Sequence, residues 1–458
     1  ATRQFQHLMW RALLLVSVAL PAALSSPLDV EDKGQVWAVL VAGSNTYDNY
    51  RHQADICHAY QIFHRHGVPD SNIIVMMYDD IANNPDNPKK GKIFNKPGGP
   101  NVYGPKAVPK DYTGDAVTPK NFVHVLTGNH EAVKGVGSGK VLKSGPNDHV
   151  FVNFVDHGAP GLIGFPNDVM HADDLIQALK TMNKQKMYKK LVFYMEACES
   201  GSMFDKLLPK NIEIYATTAA NPHESSYACY WSDELSTYLG DEYSISWMED
   251  TDAEEKHKTF SSETLLKQYN NVVNRVKDSH PSMYGETIID KDHVQDFLGK
   301  SKQKVTFYSE SSSELEPITD AVPSRDVALH VLTKKIALAE TADQKEELQK
   351  KKDYLIKGRK DVDQIFSRIL SHVTNLEIDE IKNIETSRQE INLEMMPCYK
   401  TLVKAFSEKC VNIHKNMYTF SHLYKLANMC ALQYSSTNVL KAFSAECGSL
   451  HQGMVNVN

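Results

Sequence analysis

Five apolar runs, separated by segments whose apolar positions recur at helical intervals, set the expected architecture of this chain. The runs cover 35–43 (QVWAVLVAG), 73–77 (IIVMM), 148–155 (DHVFVNFV), 191–195 (LVFYM) and 212–217 (IEIYAT). Runs of this length, bounded by turn-forming residues, read as strands buried on both faces. Between them, 50–66 carries Ala54, Cys57, Ala59 and Ile62 along one stripe, Thr118-Pro119 opens a second helix, and 171–184 reads as a third. Strands alternating with helices predict a mostly parallel sheet with helices on both faces. The stretch 83–115, rich in Pro, Gly, Asn and Lys, is expected to be a long surface loop, and 262–276 a further helix before weaker structure.

The pattern changes at 309–324 (SESSSELEPITDAVPS), whose Ser/Glu/Pro composition cannot bury a core and predicts a mobile linker. Beyond it nearly everything reads as helix. From Ser324 onward the chain has 19 Lys+Arg against 16 Asp+Glu, a net +3, while the preceding part carries −10. Opposite signs favour docking of the two parts at neutral pH, an attraction that weakens as carboxylates protonate. For the whole chain, a net charge of −7 and no basic run interleaved with aromatics argue against nucleic acid or anionic membranes as partners. At the N-terminal end Arg3, His7 and Arg11 precede an apolar stretch at 12–23 and small residues, which reads as a secretory signal peptide over 1–25. That stretch is too short to span a bilayer. The mature protein is therefore expected in the secretory or endolysosomal system, without a membrane anchor.

Cysteine usage sharpens the picture. Cys57, Cys198 and Cys229 lie far apart, whereas Cys398, Cys410, Cys430 and Cys447 cluster near the end. In an oxidising compartment four clustered cysteines suggest two disulfides with three connectivities. Zinc is the competing reading, but tight Cys-x-x-Cys pairs are absent. Three strands run into reactive-looking residues: Asn49-Tyr50-Arg51-His52, Asp156-His157-Gly158 and Glu196-Ala197-Cys198. In a parallel sheet these ends share one edge and can converge. A cysteine and a histidine there support acyl transfer through a thioester. A buried structural cysteine is the plainer reading of Cys198 alone.

The segment Glu196-Ala197-Cys198-Glu199-Ser200-Gly201, with His157-Gly158 on an earlier strand, resembles the legumains, caspase-like cysteine proteases that cleave after asparagine. Asn49 to Asp55 (NYRHQAD), Ala219-Ala220-Asn221-Pro222 and Glu224-Ser225-Ser226-Tyr227 carry the resemblance further. It implies a caspase-like α/β catalytic domain over 34–308, a linker with a cleavage site over 309–326, and an all-helical, disulfide-bonded prodomain over 327–458. Its first helices, about 327–359, would be the activation segment, and 26–33 a short N-terminal propeptide. Cys198 would be the nucleophile, His157 the general base and acid, and Asn49 the residue orienting His157. Backbone N–H groups of Cys198 and Gly158 would form the oxyanion hole. Arg51, His52, Glu196, Ser225 and Asp241 would form the specificity pocket, and Asp156 would be prone to succinimide formation.

A carboxamide has one acceptor face and one donor face, so a pocket holding a cation and carboxylates suits it. Disulfides Cys398–Cys430 and Cys410–Cys447 are likewise implied by the resemblance, as are cystatin-type inhibitors, peptide and protein substrates, and the chain's own prodomain as partners. Neither a cofactor nor a metal is expected. No Asn lies between Asn274 and Asn375, so self-cleavage is expected after Asp320 or Asp326, with Asp29 and Asp32 as sites of N-terminal trimming. The competing functions are a peptide ligase that diverts the thioester to an amine, the related transamidase subunit, and a non-catalytic binding protein.

Overall fold

The computed structural model describes residues 34–104, 106–300, 315 and 317–448. The expected signal peptide and N-terminal propeptide, with Asp29 and Asp32, lie outside these residues, as does most of the first half of the linker. In chain order the catalytic region contains β1 (Val36–Ala42), α1 (Tyr50–Arg65), β2 (Ile73–Met76), α2 (Pro119–Leu126), β3 (His149–Val155), β4 (Gly158–Ala159), β5 (Leu162–Phe165), β6 (Asp168–His171) and α3 (Ala172–Lys184). It continues with β7 (Lys190–Glu196), β8 (Ile214–Thr218), β9 (Tyr227–Ser232), β10 (Thr237–Asp241), α4 (Glu242–His257), α5 (Leu265–Arg275), β11 (Ser282–Gly285) and α6 (Gln295–Leu298). Then follow β12 (Val322–Pro323), α7 (Val327–Leu338), α8 (Ala342–Val373), α9 (Ile378–Thr386), α10 (Met396–Lys409), α11 (Leu423–Ala431) and α12 (Ser436–Cys447).

The main sheet has the order β11-β8-β7-β3-β1-β2, parallel throughout except for the β11–β8 pair. Side chains alternate along each strand, so one strand feeds two cores. Val39 and Val41 of β1, Val152 of β3 and Phe193 of β7 pack towards α2 and α3. Ala38, Leu40, Phe151 and Tyr194 pack towards α1 and α4. Both faces are covered, which is why the strands read as continuous apolar runs. The chain steps from β1 outward to β2, then returns to place β3 on the other side of β1. This reversal is the topological switch point, where open α/β sheets place their ligands.

The C-terminal region is helical and closed by disulfides Cys398–Cys430 and Cys410–Cys447, with Cα–Cα distances of 5.9 and 4.9 Å. It packs on the α3 side of the sheet, where Ile365, Phe366 and Tyr399 continue the core of that face. Tyr399 meets His171 edge-on at 5.6 Å, and Lys400 bridges Asp173 and Asp174 at 2.8 Å each. A Cβ on Gly161 would approach Ile391 to 2.9 Å, so the small residue permits this close seat.

Several expectations need correction. Among its described residues the 83–115 stretch has no α-helix or strand, but it is no simple surface loop, because Asn87, Asn95 and Tyr112 are buried in it. Asn87 Nδ2 donates to the carbonyls of Ile81, Ala82 and Lys92, which satisfies backbone that water would otherwise solvate. The later part of the expected mobile linker is also packed. Val322 and Pro323 pair antiparallel with Ala228 and Tyr227 of β9, and Ile318 is buried. Its polar composition misled because the stabilising partner is a sheet edge, which takes backbone groups whatever the side chains. The hairpin β9–β10, the small sheet β4-β5-β6 and α4 were not foreseen.

Candidate active site

Three adjacent strands of the sheet deliver the candidate catalytic residues. Asn49 follows β1, His157 follows β3 and Cys198 follows β7. The strands end in register, since Ala42 pairs with Val155 and Val155 with Glu196. The parallel sheet thus brings residues 49, 157 and 198 to one edge, as the sequence pattern predicts.

Asn49 Nδ2 donates to the Asn45 carbonyl at 3.0 Å, which fixes the orientation of the amide. Its Oδ1 therefore accepts from His157 Nε2 at 2.7 Å. With the proton of the neutral ring on Nε2, Nδ1 carries the lone pair that a base needs. Burial and the nearby Arg51 and Arg325 guanidinium groups hold His157 well below the ordinary imidazole range, so the ring is neutral here. Cys198 is buried, and its Sγ accepts from Ser226 N at 3.4 Å with Ser226 Oγ at 3.7 Å. Glu199 turns the chain in the left-handed region at φ 47°, which ends the strand abruptly and presents Cys198 at its tip. Gly158 abuts this turn so closely that a Cβ would come within 2.3 Å of the Cys198 carbonyl oxygen.

Beside the thiol lies a buried charged pocket. Arg51 Nε donates to Asp241 Oδ1 at 2.8 Å, and Glu196 Oε2 accepts from Ser244 N and Oγ at 3.0 Å each. That leaves Arg51 Nη2, Glu196 Oε1 and Asp241 Oδ2 buried without hydrogen-bond partners. His52 Nδ1 meets Ser44 Oγ at 2.7 Å and Asp156 Oδ1 at 3.4 Å. Its ring lies edge-on to His157 at 5.0 Å. Desolvation raises the carboxyls of Glu196 and Asp241, and it pushes Asp156 up to about 8. The His157 backbone N–H, the group that succinimide closure requires, opposes that rise in Asp156. Ser225 is half-buried, next to the Ser226 that touches the thiol.

Ser44 and Ser244 lie outside the motifs read from the sequence, and Ser226 and Glu199 stand within them without an assigned role. They are short polar residues whose roles depend on contacts across 28 or more positions for Ser226 and Ser244, which no local pattern reveals. His52, Asp156 and His157 also bring ligand atoms within 4.8 Å of one another, as do Asp250, Glu254 and Glu263. In the first group the imidazole nitrogens already bond Ser44 and Asn49, and in the second Lys267 bonds Glu254 at 2.6 Å.

The C-terminal region covers this site. Ser324 N donates to the Ser226 carbonyl at 2.9 Å, and Ser324 Oγ lies 3.2 Å from Ser226 Oγ. Arg325 forms an ion pair with Glu199 and donates to the Gly158 carbonyl at 3.3 Å. Asp320 accepts from Tyr230 N and Trp231 N at 3.0 and 2.6 Å, while Asp326 pairs with Arg359 at 2.6 Å. Neither aspartate occupies the charged pocket.

Residues 36–300 match the Peptidase C13 family, and residues 350–447 match the legumain prodomain. The chain is 46% identical to legumain from Rattus norvegicus over 96% of its length and 99% of the relative's. Legumain from Homo sapiens is 45% identical, covering 93% and 96% of the two chains. The vacuolar-processing enzyme delta-isozyme of Arabidopsis thaliana is 42% identical, covering 97% and 98%. A cysteine and a histidine on adjacent strand ends, a prodomain laid across them and likeness along nearly the whole chain agree: this protein is a cysteine endopeptidase of the peptidase C13 family, in its zymogen form.

Proposed function

We propose that the protein cleaves peptide bonds after Asn, and after Asp only at lower pH. The observation that carries this reading is the pair of buried, unpartnered groups Arg51 Nη2 and Glu196 Oε1. One donates and the other accepts, which matches the two faces of a carboxamide. An ionised Asp side chain would meet Glu196 and Asp241 with like charge, and a protonated one would not. Ser225 and His52 complete the pocket wall in this reading.

In the reaction, His157 Nδ1 takes the Cys198 proton and Sγ attacks the carbonyl carbon. A C–S bond forms and the carbonyl electrons move to oxygen, where the N–H groups of Cys198 and Gly158 stabilise the charge. Collapse breaks the C–N bond, and the amine leaves with the proton from His157. The resulting thioester is resolved by water, or by an incoming amine when a peptide is ligated.

Activation follows from the contacts over the site. Burial raises the Glu199 carboxyl despite the opposing Arg325 charge. As pH falls through that raised value Glu199 protonates, and the ion pair holding Arg325 over Gly158 loses its charge. Cuts after Asp320 or Asp326 then release the prodomain, once those side chains have left β9 and Arg359. An acid requirement of this kind fits a lysosomal or vacuolar compartment, where cystatin-type inhibitors would compete for the cleft. The test is to acidify the protein, supply Asn- and Asp-containing peptides with a competing amine, and read all products, including the released prodomain, by mass spectrometry. Asn cleavage across mildly acidic pH with Asp cleavage only lower is expected, and equal cleavage of both at neutral pH overturns the reading.

A further inference from the structure

Behind the specificity pocket lies a carboxyl that the reaction does not use. Asp55, on α1 one helical turn beyond Arg51, is fully buried. Asn95 Nδ2 donates to Asp55 Oδ1 at 2.7 Å and to the Leu239 carbonyl at 2.8 Å. The carbonyl can only accept, so the Asn95 amide is fixed and its Oδ1 faces His58 Nδ1 at 2.8 Å. His58 Nε2 in turn faces Asp252 Oδ2 at 3.2 Å, and Asp252 pairs with Arg65. A continuous chain of polar groups therefore runs from the half-buried Asp252 to Asp55.

The far end of that chain reaches the pocket. The Asp55 and Asp241 carboxyls act on each other, and each has a buried oxygen, Oδ2, that no hydrogen-bond donor reaches. Two facing carboxylates in a dry site cannot both be ionised, so one proton is shared between them. Asp241 also has Arg51 Nε on its Oδ1, which favours its charge, whereas Asp55 has no cation in contact. The proton consequently resides on Asp55.

We propose that Asp55 is a specificity-positioning residue of this protease. As a carboxylic acid it donates to Asp241, which holds Arg51 in place for the substrate carboxamide. The groups facing Asp55 are Asp241 of β10, Glu196 of β7, Arg51 of α1 and Asn95, with the thiols of Cys57 and Cys229 nearby. Burial and the neighbouring Asp241 and Glu196 charges raise Asp55, and both thiols are pushed up and stay protonated. Loss of the Asp55 proton as pH rises sets two anions against each other and frees Arg51. The pocket then loses its grip on Asn.

This inference rests on the Asn-pocket reading, and the two fail separately. If the activated wild-type enzyme does not cleave after Asn, the pocket reading falls. If it does, Asp55→Asn and Asp55→Ala decide the role of Asp55. Asparagine can still accept from Asn95 and donate to Asp241, so Asp55→Asn should keep KM for an Asn peptide within about threefold of wild type at acid pH, while Asp55→Ala strands a buried carboxylate and should raise KM by about tenfold or more with kcat little changed. In Asp55→Asn, the rise of KM towards neutral pH expected of the wild type should flatten, because that proton is no longer lost. Alkylation of Cys198 by iodoacetamide reports whether each variant retains its site. If Asp55→Ala does not fold, the Asp55→Asn pH profile decides alone. An unflattened KM profile in Asp55→Asn, or equal KM for a folded Asp55→Ala and the wild type, overturns the proposal.

Discussion

Glu199 sits one residue from the nucleophile, yet its partner Arg325 lies 126 positions away, in the segment that leads into the helical prodomain. Breaking a buried ion pair by removing one partner costs about 3–5 kcal/mol. Glu199→Gln carries no charge at any pH and so imitates the protonated residue. The zymogen with Glu199→Gln should therefore begin self-processing at higher pH than the wild type, followed by gel analysis across a pH series; an unchanged onset would show that this pair does not hold the prodomain. At the same scale, Asn49, His157 and Cys198 were legible because each follows an apolar strand run, so topology alone brings them together. Arg325 was not legible. It lies in a polar stretch whose composition suggested a linker, and its importance comes from a contact that no spacing rule encodes.

Among the elements, the parallel strands were readable because burial on both faces demands unbroken apolar runs. Helix α4 was missed for the opposite reason. It buries Ser244, Ser246, Glu249, Asp250 and Glu255 along with Trp247 and Met248, so its sequence shows no clean apolar stripe. The β9 strand was hidden by Tyr230, which takes φ 64° and interrupts the alternation. In the helical region the two disulfides span 32 and 37 residues and tie α10 to α11 and α12. Closing loops of that size is worth roughly 3–4 kcal/mol in the chain-entropy model. Replacing Cys410 and Cys447 together by Ser should lower the urea midpoint of the zymogen's helical region by a corresponding amount. Circular dichroism at the helix minimum would report it, and an unchanged midpoint would assign the stability to packing alone.

Across the whole molecule, burial raises several carboxyls. Asp156 is raised to about 8, Glu255 to about 7 and Glu242 to about 6, each chiefly by burial. A raised carboxyl binds its proton in the folded state at pH values where the unfolded chain has released it. Stability from these groups is therefore full below pH of about 4 and is lost as pH rises towards 8. Thermal unfolding of Cys198→Ala zymogen should accordingly show a melting temperature that falls from pH 5 to pH 8, even though the buried His52, His66, His157 and His171, held below the ordinary imidazole range, pull the other way. A melting temperature that rises over that interval would contradict this balance. The short strand Val322–Pro323, seated along β9, has a further consequence in the currency of concentration. While the chain is intact, the cleft faces its own blocker at an effective concentration of the order of millimolar, whatever the dilution of the protein. A cut after Asp320 would turn that fixed quantity into an ordinary bimolecular equilibrium. From then on, the fraction of open enzyme depends on how crowded the compartment is, and spreading the same molecules through a larger volume switches more of them on.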